Sequence, residues 1–369
     1  MPRLTVTLLP LLALAGCPSP SDITPVIHVD PRAAQRLQWL ADPVAAAEAE
    51  EPAPATAARV HAMKEGEQLG GPGATGRPGD LLLENAEVAF VVGQVGGAGP
   101  AERGGSVLDA ADATTRKDEL GQVVASFGAP SPAVEYRWLR SGAEGDGSAW
   151  IEVVGRGASL AALVVTTRYT LHGPDRALLI ETTVENPGDV AVELPAVGDA
   201  VEWGTAERVA DGEARGFAGP SSGVYIGAVG RAVSYALTST DGSITATSGG
   251  SWSRTTQRTK VTLAGHDRTQ YARVLLVGQR GDTASLVGEL AMAAGQTVGA
   301  VKLTVPGAAP GATVSLVADG STQPITLVDP FEAMLPEGRY WITAPDGHRA
   351  TAPLDVKGSG TAAATVAPP

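Results

Sequence analysis

Apolar and polar residues alternate along most of this chain in short runs divided by Gly, Asn, Asp and Pro. Val165, Thr167, Tyr169 and Leu171 alternate with Val164, Thr166, Arg168 and Thr170. Leu178, Ile180, Thr182 and Val184 repeat the pattern, and Asn186-Pro187-Gly188-Asp189 closes it. Period two puts one set on each side of a pleated strand, so these runs predict half-buried strands joined by turns. Gly79-Asp80 opens Leu81-Leu82-Leu83, and Glu84-Asn85-Ala86-Glu87 turns the chain into Val88–Val92. Asn supplies the permissive backbone that a tight turn needs. Further strands are expected at Ala133–Arg140, Ala149–Val154, Val224–Val229, Ala232–Ser239, Thr259–Leu263 and Gln270–Val277. Such a succession of short strands, almost without helix, predicts packed antiparallel sheets.

The period changes once within this body. Asp282 can cap a helix from Thr283 to Ala294, with Leu286, Leu290 and Ala293 on one face and Gly295 as its stop. Short strands return at Val298–Val305, Ala312–Val317, Pro324–Val328, Arg339–Thr343 and Ala362–Val366, with a tight turn at Pro345-Asp346-Gly347. They predict a small β-sandwich whose core holds Leu316, Ile325, Tyr340 and Ile342. Before the first strands, residues from Pro18 to Thr56 are rich in Pro, Ala and Glu. Asp30-Pro31 is an N-cap with proline at the first helical position, Leu37 and Leu40 follow at helical spacing, and Pro43 stops the run. Glu51-Pro52-Ala53-Pro54 is a stiff spacer. The expected fold is therefore all-β: a large antiparallel β super-sandwich, a short helix and a small Ig/transthyretin-like β-sandwich. The segments are 1–16, 17–57, 58–282, 283–295 and 296–369.

Composition removes several classes of partner. Lys and Arg number 27 against 40 Asp and Glu, a net charge of -13, so nucleic acid and anionic lipid are disfavoured. The apolar run Leu4–Ala15 follows Arg3, is too short to span a bilayer and has the layout of a secretory signal. The chain holds one cysteine, Cys17, so no internal disulfide is available and stability must come from burial.

Leu14-Ala15-Gly16-Cys17 resembles the lipobox of bacterial lipoproteins. The resemblance implies cleavage after Gly16, lipidation of Cys17 with chains such as palmitate, and a membrane contact made through that lipid. Pro18 is not the aspartate that retains such proteins in the inner membrane, which implies the outer membrane. Gly79–Asn85, Gly104–Ala110 and Asp199-Ala200-Val201-Glu202-Trp203-Gly204 are similar to a pattern in bacterial lipoproteins with a galactose mutarotase-like super-sandwich, over roughly Arg59 to Leu276. The tail from Gly299 resembles a carboxypeptidase regulatory-like domain through Gly311-Ala312-Thr313-Val314 and Leu335–Tyr340. Relatives of this layout carry a PHP-type metallohydrolase domain, and this sequence is expected to be the non-catalytic part of that layout.

Candidate chemistry is sparse. Gly71-Pro72-Gly73-Ala74-Thr75-Gly76 matches Gly-x-Gly-x-x-Gly, but it leads into a strand rather than a helix, so it is expected to be a loop. Gly219-Pro220-Ser221-Ser222-Gly223 matches a nucleophile elbow, with Asp241 and His266 in the right order. A strand follows it, so an ordinary Gly-Pro-Ser loop is the expectation. Asp109, Asp112, Asp118 and Glu119 fit no calcium-loop template and are expected to form a solvated acidic loop. His28, His61, His172, His266 and His348 make no ligand pair, so neither a metal site nor a cofactor is expected. Asp199, Glu202 and Trp203 are the candidate ligand cleft, the indole stacking and the carboxylates accepting hydrogen bonds. Trp138, Trp150, Tyr225 and Trp252 either join them or belong to the core. The expected function is a lipid-anchored envelope protein acting as a non-catalytic binding or scaffold module for a carbohydrate or protein ligand. The alternatives are a carbohydrate- or ester-active enzyme of the large sandwich, built on Ser221 or the Asp199/Glu202 pair, and the remnant of a metallohydrolase that lacks its catalytic domain.

Overall fold

A computed structural model describes residues 57–96, 104–128, 134–157, 162–343, 352–358 and 360–366. The expected signal, Cys17, the expected tether and helix after Asp30, and the turn expected at Pro345-Asp346-Gly347 lie outside the described residues. The chain begins with an antiparallel meander of β1 (Arg59–Ala62), β2 (Leu81–Glu84), β3 (Val88–Val92), β4 (Val107–Asp112) and β5 (Gln122–Ser126). A second meander follows: β6 (Val134–Ala143), β7 (Ala149–Gly157), β8 (Val164–Leu171) and β9 (Ala177–Glu185). β10 (Val192–Glu202) crosses back to pair with β5. Then come β11 (Glu207–Ala210), β12 (Gly219–Gly223), β13 (Tyr225–Val229), β14 (Ser234–Ser239), β15 (Ile244–Gly249), β16 (Trp252–Thr256), β17 (Arg258–Leu263) and β18 (Arg268–Gly278).

These strands form two facing sheets. One runs β1-β2-β3-β4-β5-β10-β16-β15-β12, with β17 also on β10; the other runs β11-β13-β14-β18-β9-β8-β7-β6. Their inner faces enclose one apolar core, to which β9 contributes Leu178, Ile180 and Val184 and β10 contributes Val197 and Val201. The alternation read along β9 is the burial pattern of that strand. β8 differs, because its second face is covered too: Val164 packs with Trp138 and Val154 outside the main core. Asparagine fixes the turns as its chemistry suggests. Asn85 Oδ1 accepts from Glu87 N and Val88 N, and its Nδ2 donates to the carbonyls of His172 and Asp175. Asn186 Nδ2 donates to the carbonyls of Val190, Leu263 and Ala264.

Helix α1 (Thr283–Ala293) is capped by Asp282, whose carboxylate accepts from Ser285 N at 2.8 Å, and Gly295 with φ of +70° ends it. No helix among the described residues is long and apolar enough to cross a membrane. The expected single apolar face needs correction. Leu286 and Leu290 pack on the outer face of the large sandwich, whereas Ala284 and Val287 pack into a second core. The stripe runs along two sides because the helix lies between two bodies, and Ala293 is exposed. A Cβ on Gly288 would come within 2.2 Å of the Met334 carbonyl, so only glycine permits this approach.

The second core lies between two small sheets. β19 (Val298–Thr304), β20 (Thr313–Ala318), β21 (Pro324–Val328), β22 (Glu332–Pro336), β23 (Gly338–Thr343), β24 (Leu354–Val356) and β25 (Thr361–Thr365) pair in the orders β22-β19-β25 and β21-β20-β23-β24. Leu316, Tyr340 and Ile342 are buried as expected; Ile325 packs against the same core but is only half-buried, and Leu327, two residues on, is fully buried beside it. β21 is an edge strand whose outward N–H groups need acceptors. Thr326 N donates to Thr283 Oγ1 at 2.7 Å and Val328 N to Asp282 Oδ2 at 3.1 Å. The start of α1 therefore covers this edge.

Candidate functional site

Strand period decides the fate of the Asp199, Glu202 and Trp203 cleft. Positions 199, 201 and 203 share a face, so Asp199 and Trp203 enter the core and each is 0% exposed. Glu202 points to the opposite face, where it is partly exposed and crosses from Trp252 and Gln122. The three do not converge. Trp203 Nε1 donates to Ser253 Oγ at 2.8 Å, so its indole is a core group with a satisfied polar end.

Asp199 joins the two sheets. Its Oδ1 accepts from Arg273 Nη2 at 2.5 Å, and Arg273 Nη1 donates to Thr182 Oγ1 at 2.6 Å and to the Ile180 carbonyl at 3.2 Å. The chain of contacts continues from Thr182 through Thr167 to the Tyr136 hydroxyl. Tyr271 donates to the Gly198 carbonyl beside it, and the Arg273 guanidinium lies 4.7 Å from the Tyr271 ring centroid. Burial pushes the Asp199 carboxyl upward while the Arg273 charge opposes the shift. An ion pair sealed in apolar surroundings must be matched by hydrogen bonds such as these.

The four acids expected in a solvated loop are buried, which corrects that reading. Asp109 and Asp112 belong to β4, and backbone N–H groups replace the water they would otherwise need. Asp109 Oδ1 accepts from Thr75 N at 2.7 Å, and Oδ2 from Gly76 N at 2.8 Å. The glycine-rich loop thus cradles a carboxylate from its own chain. Side chains at Gly73 or Gly76 would strike the carboxylates of Asp118 and Asp109, at 2.7 and 2.6 Å respectively. Glu119 Oε1 accepts from Arg231 N and Ala232 N at 2.6 and 2.8 Å. Asp118 Oδ1 accepts from Ala110 N and Leu120 N, both at 3.0 Å, and lies 2.9 Å from the Tyr235 hydroxyl. Its Oδ2 has no hydrogen-bond partner among the described residues. Burial pushes this carboxyl up to about 8, helped by the Asp109 charge and opposed by its hydrogen bonds. No cluster of three or more potential metal ligands exists among the described residues.

Ser221 lies within β12, paired with Ala246 of β15, so the Gly-Pro-Ser segment is a strand rather than the expected loop. His266 is occupied with Asp189 at 2.9 Å, and Asp241 N bonds Ser239 Oγ in a separate turn. These residues assemble no triad. Trp138 and Trp150 lie on the outer face of the second sheet, away from Asp199. There Arg140 and Arg168 lie 5.3 and 4.3 Å from the Trp150 ring centroid, covering it. Tyr225 and Trp252 are half-buried on β13 and β16.

The concavity that sequence reasoning missed lies where α1 meets both bodies. It is a cleft of about 620 Å³, within the usual range of small-molecule sites. Leu179, Val274 and Leu276 from the outer face of β9 and β18 form its floor, and Met292 and Met334, each 41% exposed, form its lip. Arg176 in its wall is held on all three nitrogens: Nε donates to the Val277 carbonyl at 3.0 Å, Nη1 to Glu87 Oε2 at 3.0 Å and Nη2 to Asp112 Oδ2 at 2.8 Å. Glu289 from α1 reaches only to 3.6 Å of Arg176 Nε. Burial pushes the Glu289 carboxyl up to about 7; Arg176 opposes this, while Glu87 and Asp175 add to it. His172, which sequence placed at a surface turn, is exposed at the rim of this cleft. The available sequence signal was Ser285 and Glu289, one helical turn apart, with Met292 close beyond.

No family model and no curated protein matches this sequence. Among solved structures, one similar protein is a TPR-domain containing protein from Parabacteroides distasonis, with 12% identity, a TM-score of 0.40, and 56% of this chain and 49% of that chain covered. A GH36 α-galactosidase from Geobacillus stearothermophilus has 15% identity and a TM-score of 0.40 over 57% of this chain and 41% of its own. An α-galactosidase from Lactobacillus brevis has 11% identity and a TM-score of 0.37 over 61% of this chain and 43% of its own. This chain spans less than half the length of each. Likeness at this level assigns neither a family nor an activity.

Proposed function

We propose that this chain is a non-catalytic binding or scaffold module of the cell envelope, held to the outer membrane by lipid on Cys17. One observation supports the first half most: the acids that would do chemistry in the large sandwich serve instead as clamps. Asp199 bonds Arg273 across the two sheets, Asp109 and Glu119 accept from backbone N–H groups of distant segments, and Asp112 accepts from Thr115 N of its own turn and from Arg176. Ser221 sits in a paired strand with neither Asp241 nor His266 beside it. The second half is supported by the apolar run ending in Leu14-Ala15-Gly16-Cys17, with Pro18 after it. The galactose mutarotase-like and carboxypeptidase regulatory-like resemblances fit a carbohydrate or protein ligand.

Two measurements test the proposal. Labelling with an alkyne fatty acid should mark the wild type and leave Cys17→Ser unmarked and released from membranes. Purified protein, Ser221→Ala and Glu202→Gln should all show background turnover on aryl esters and aryl glycosides. Wild-type turnover that either substitution abolishes overturns the non-catalytic reading.

A further inference from the structure

We propose that the cleft beneath α1 binds a small apolar molecule that carries an ammonium group, with Glu289 as its counter-ion. This deepens the reading of a binding module and rests on it. The apolar floor of Leu179, Val274 and Leu276 is an outer sheet face that neither core covers completely, and the Met292 and Met334 thioethers can adjust to irregular shapes. The polar contribution is selective. The donors of Arg176 are directed at Val277, Glu87 and Asp112, so it offers little to an incoming anion. Arg280, the other cation at the cleft, lies 3.5 Å from the Asp282 carboxylate.

Two acceptors remain on one face of α1. Among the described residues Glu289 has one ion-pair contact, Arg176 at 3.6 Å, and Ser285 Oγ, one turn earlier, is buried without a hydrogen-bond partner. An ammonium has donors for both, and its charge would relieve the repulsion among Glu289, Glu87 and Asp175. A carboxylate ligand would meet that repulsion, and an alcohol would leave it in place.

Binding should carry a pH signature. Facing Glu289 are Arg176 and Asp175 at the start of β9, Glu87 before β3, His172 at the rim and Arg280 before α1. With its carboxyl near 7, Glu289 is about one-tenth ionised at pH 6 and nine-tenths at pH 8, so affinity for a permanently protonated amine rises about tenfold. The His172→Gln variant should keep this profile.

The test is isothermal titration of the folded full-length protein with phenethylammonium, 2-phenylethanol and 3-phenylpropionate, which share an apolar body and differ in head group. Phenethylammonium should bind with one-to-one stoichiometry, at least tenfold tighter than the alcohol, and the carboxylate should not bind. Glu289→Gln should bring the ammonium to the level of the alcohol and flatten the pH profile. Met292→Lys, at an exposed helical position, should weaken ammonium binding by placing a cation at the lip. If Glu289→Gln fails to fold, the wild-type pH profile and Met292→Lys decide. Absence of saturable binding, equal affinity for ammonium and alcohol, or indifference to pH overturns the inference. That failure leaves the background turnover untouched, whereas ester or glycoside turnover would overturn the module reading with the cleft intact.

Discussion

Asp282 holds three parts of the molecule with one carboxylate. Its Oδ1 accepts from Ser285 N at the start of α1, its Oδ2 accepts from Val328 N on the edge of β21, and the same oxygen lies 3.5 Å from Arg280 Nε. The residue is fully buried, so water does not replace these contacts when the side chain is removed. In Asp282→Ala, loss of the helix cap costs about 1 kcal/mol. Leaving the Val328 N–H without an acceptor costs about 1–3 kcal/mol more. The sum, about 2–4 kcal/mol, multiplies the opening equilibrium of the small sandwich by roughly 30 to 700, at about 1.4 kcal/mol per factor of ten. Hydrogen exchange read by mass spectrometry resolves this by segment. Peptides from Thr313 to Thr343 should exchange faster by about that factor, while peptides from β8 and β9 keep the wild-type rate. The reasoning fails if Thr313–Thr343 is protected as before, or if β8 and β9 accelerate equally, since the perturbation would then be global.

Other outcomes follow from the same contacts. A fragment beginning at Gly281 should unfold cooperatively in urea, whereas one beginning at Gly295 should lose that transition, because Ala284 and Val287 belong to its core. Asp118 holds its proton up to about pH 8 in the folded chain and releases it near 3.8 when unfolded. Stability should therefore fall as pH rises from about 4 to 8, by at most about 1.4 kcal/mol per unit, and Asp118→Asn should flatten that slope in urea titrations at stepped pH. Asp199→Ala should cost about 3–5 kcal/mol by leaving Arg273 buried and unpaired, and Asp199→Leu with Arg273→Met should cost less than Asp199→Ala alone. Excess chelator should leave the melting temperature unchanged, because Asp109, Asp112 and Glu119 already take their hydrogen bonds from the chain.

Much of the β architecture was legible because period two and turn chemistry are local. β9 alternates as written, and Asn85 and Asn186 turn the chain with their own amides. What failed to read depended on distant partners. β12 is Gly-Pro-Ser-Ser-Gly, poor in strand-forming residues, and becomes a strand because an edge position beside β15 is open to it. The helix was expected to connect the two domains, but a single apolar face cannot serve the two cores that α1 packs against.

The acids show why residue type alone misplaced the site. A carboxylate that does chemistry or holds a ligand needs an oxygen that is both unsatisfied and reachable. Among the described residues Asp118 and Asp199 each keep an oxygen without a hydrogen-bond partner, but both are fully buried, Asp199 against an arginine 74 positions away along the chain. Sequence shows the acids and hides the backbone donors that satisfy them, because those donors come from loops such as 71–76 and the turn before β14. Glu289 is the contrasting case. Its helix offers it no partner, its nearest cation is committed elsewhere, and 17% of its side chain stays open to a cleft. Only the folded chain separates a carboxylate used as a clamp from one left facing a cavity, since the difference lies in what surrounds each oxygen rather than in the residue that bears it.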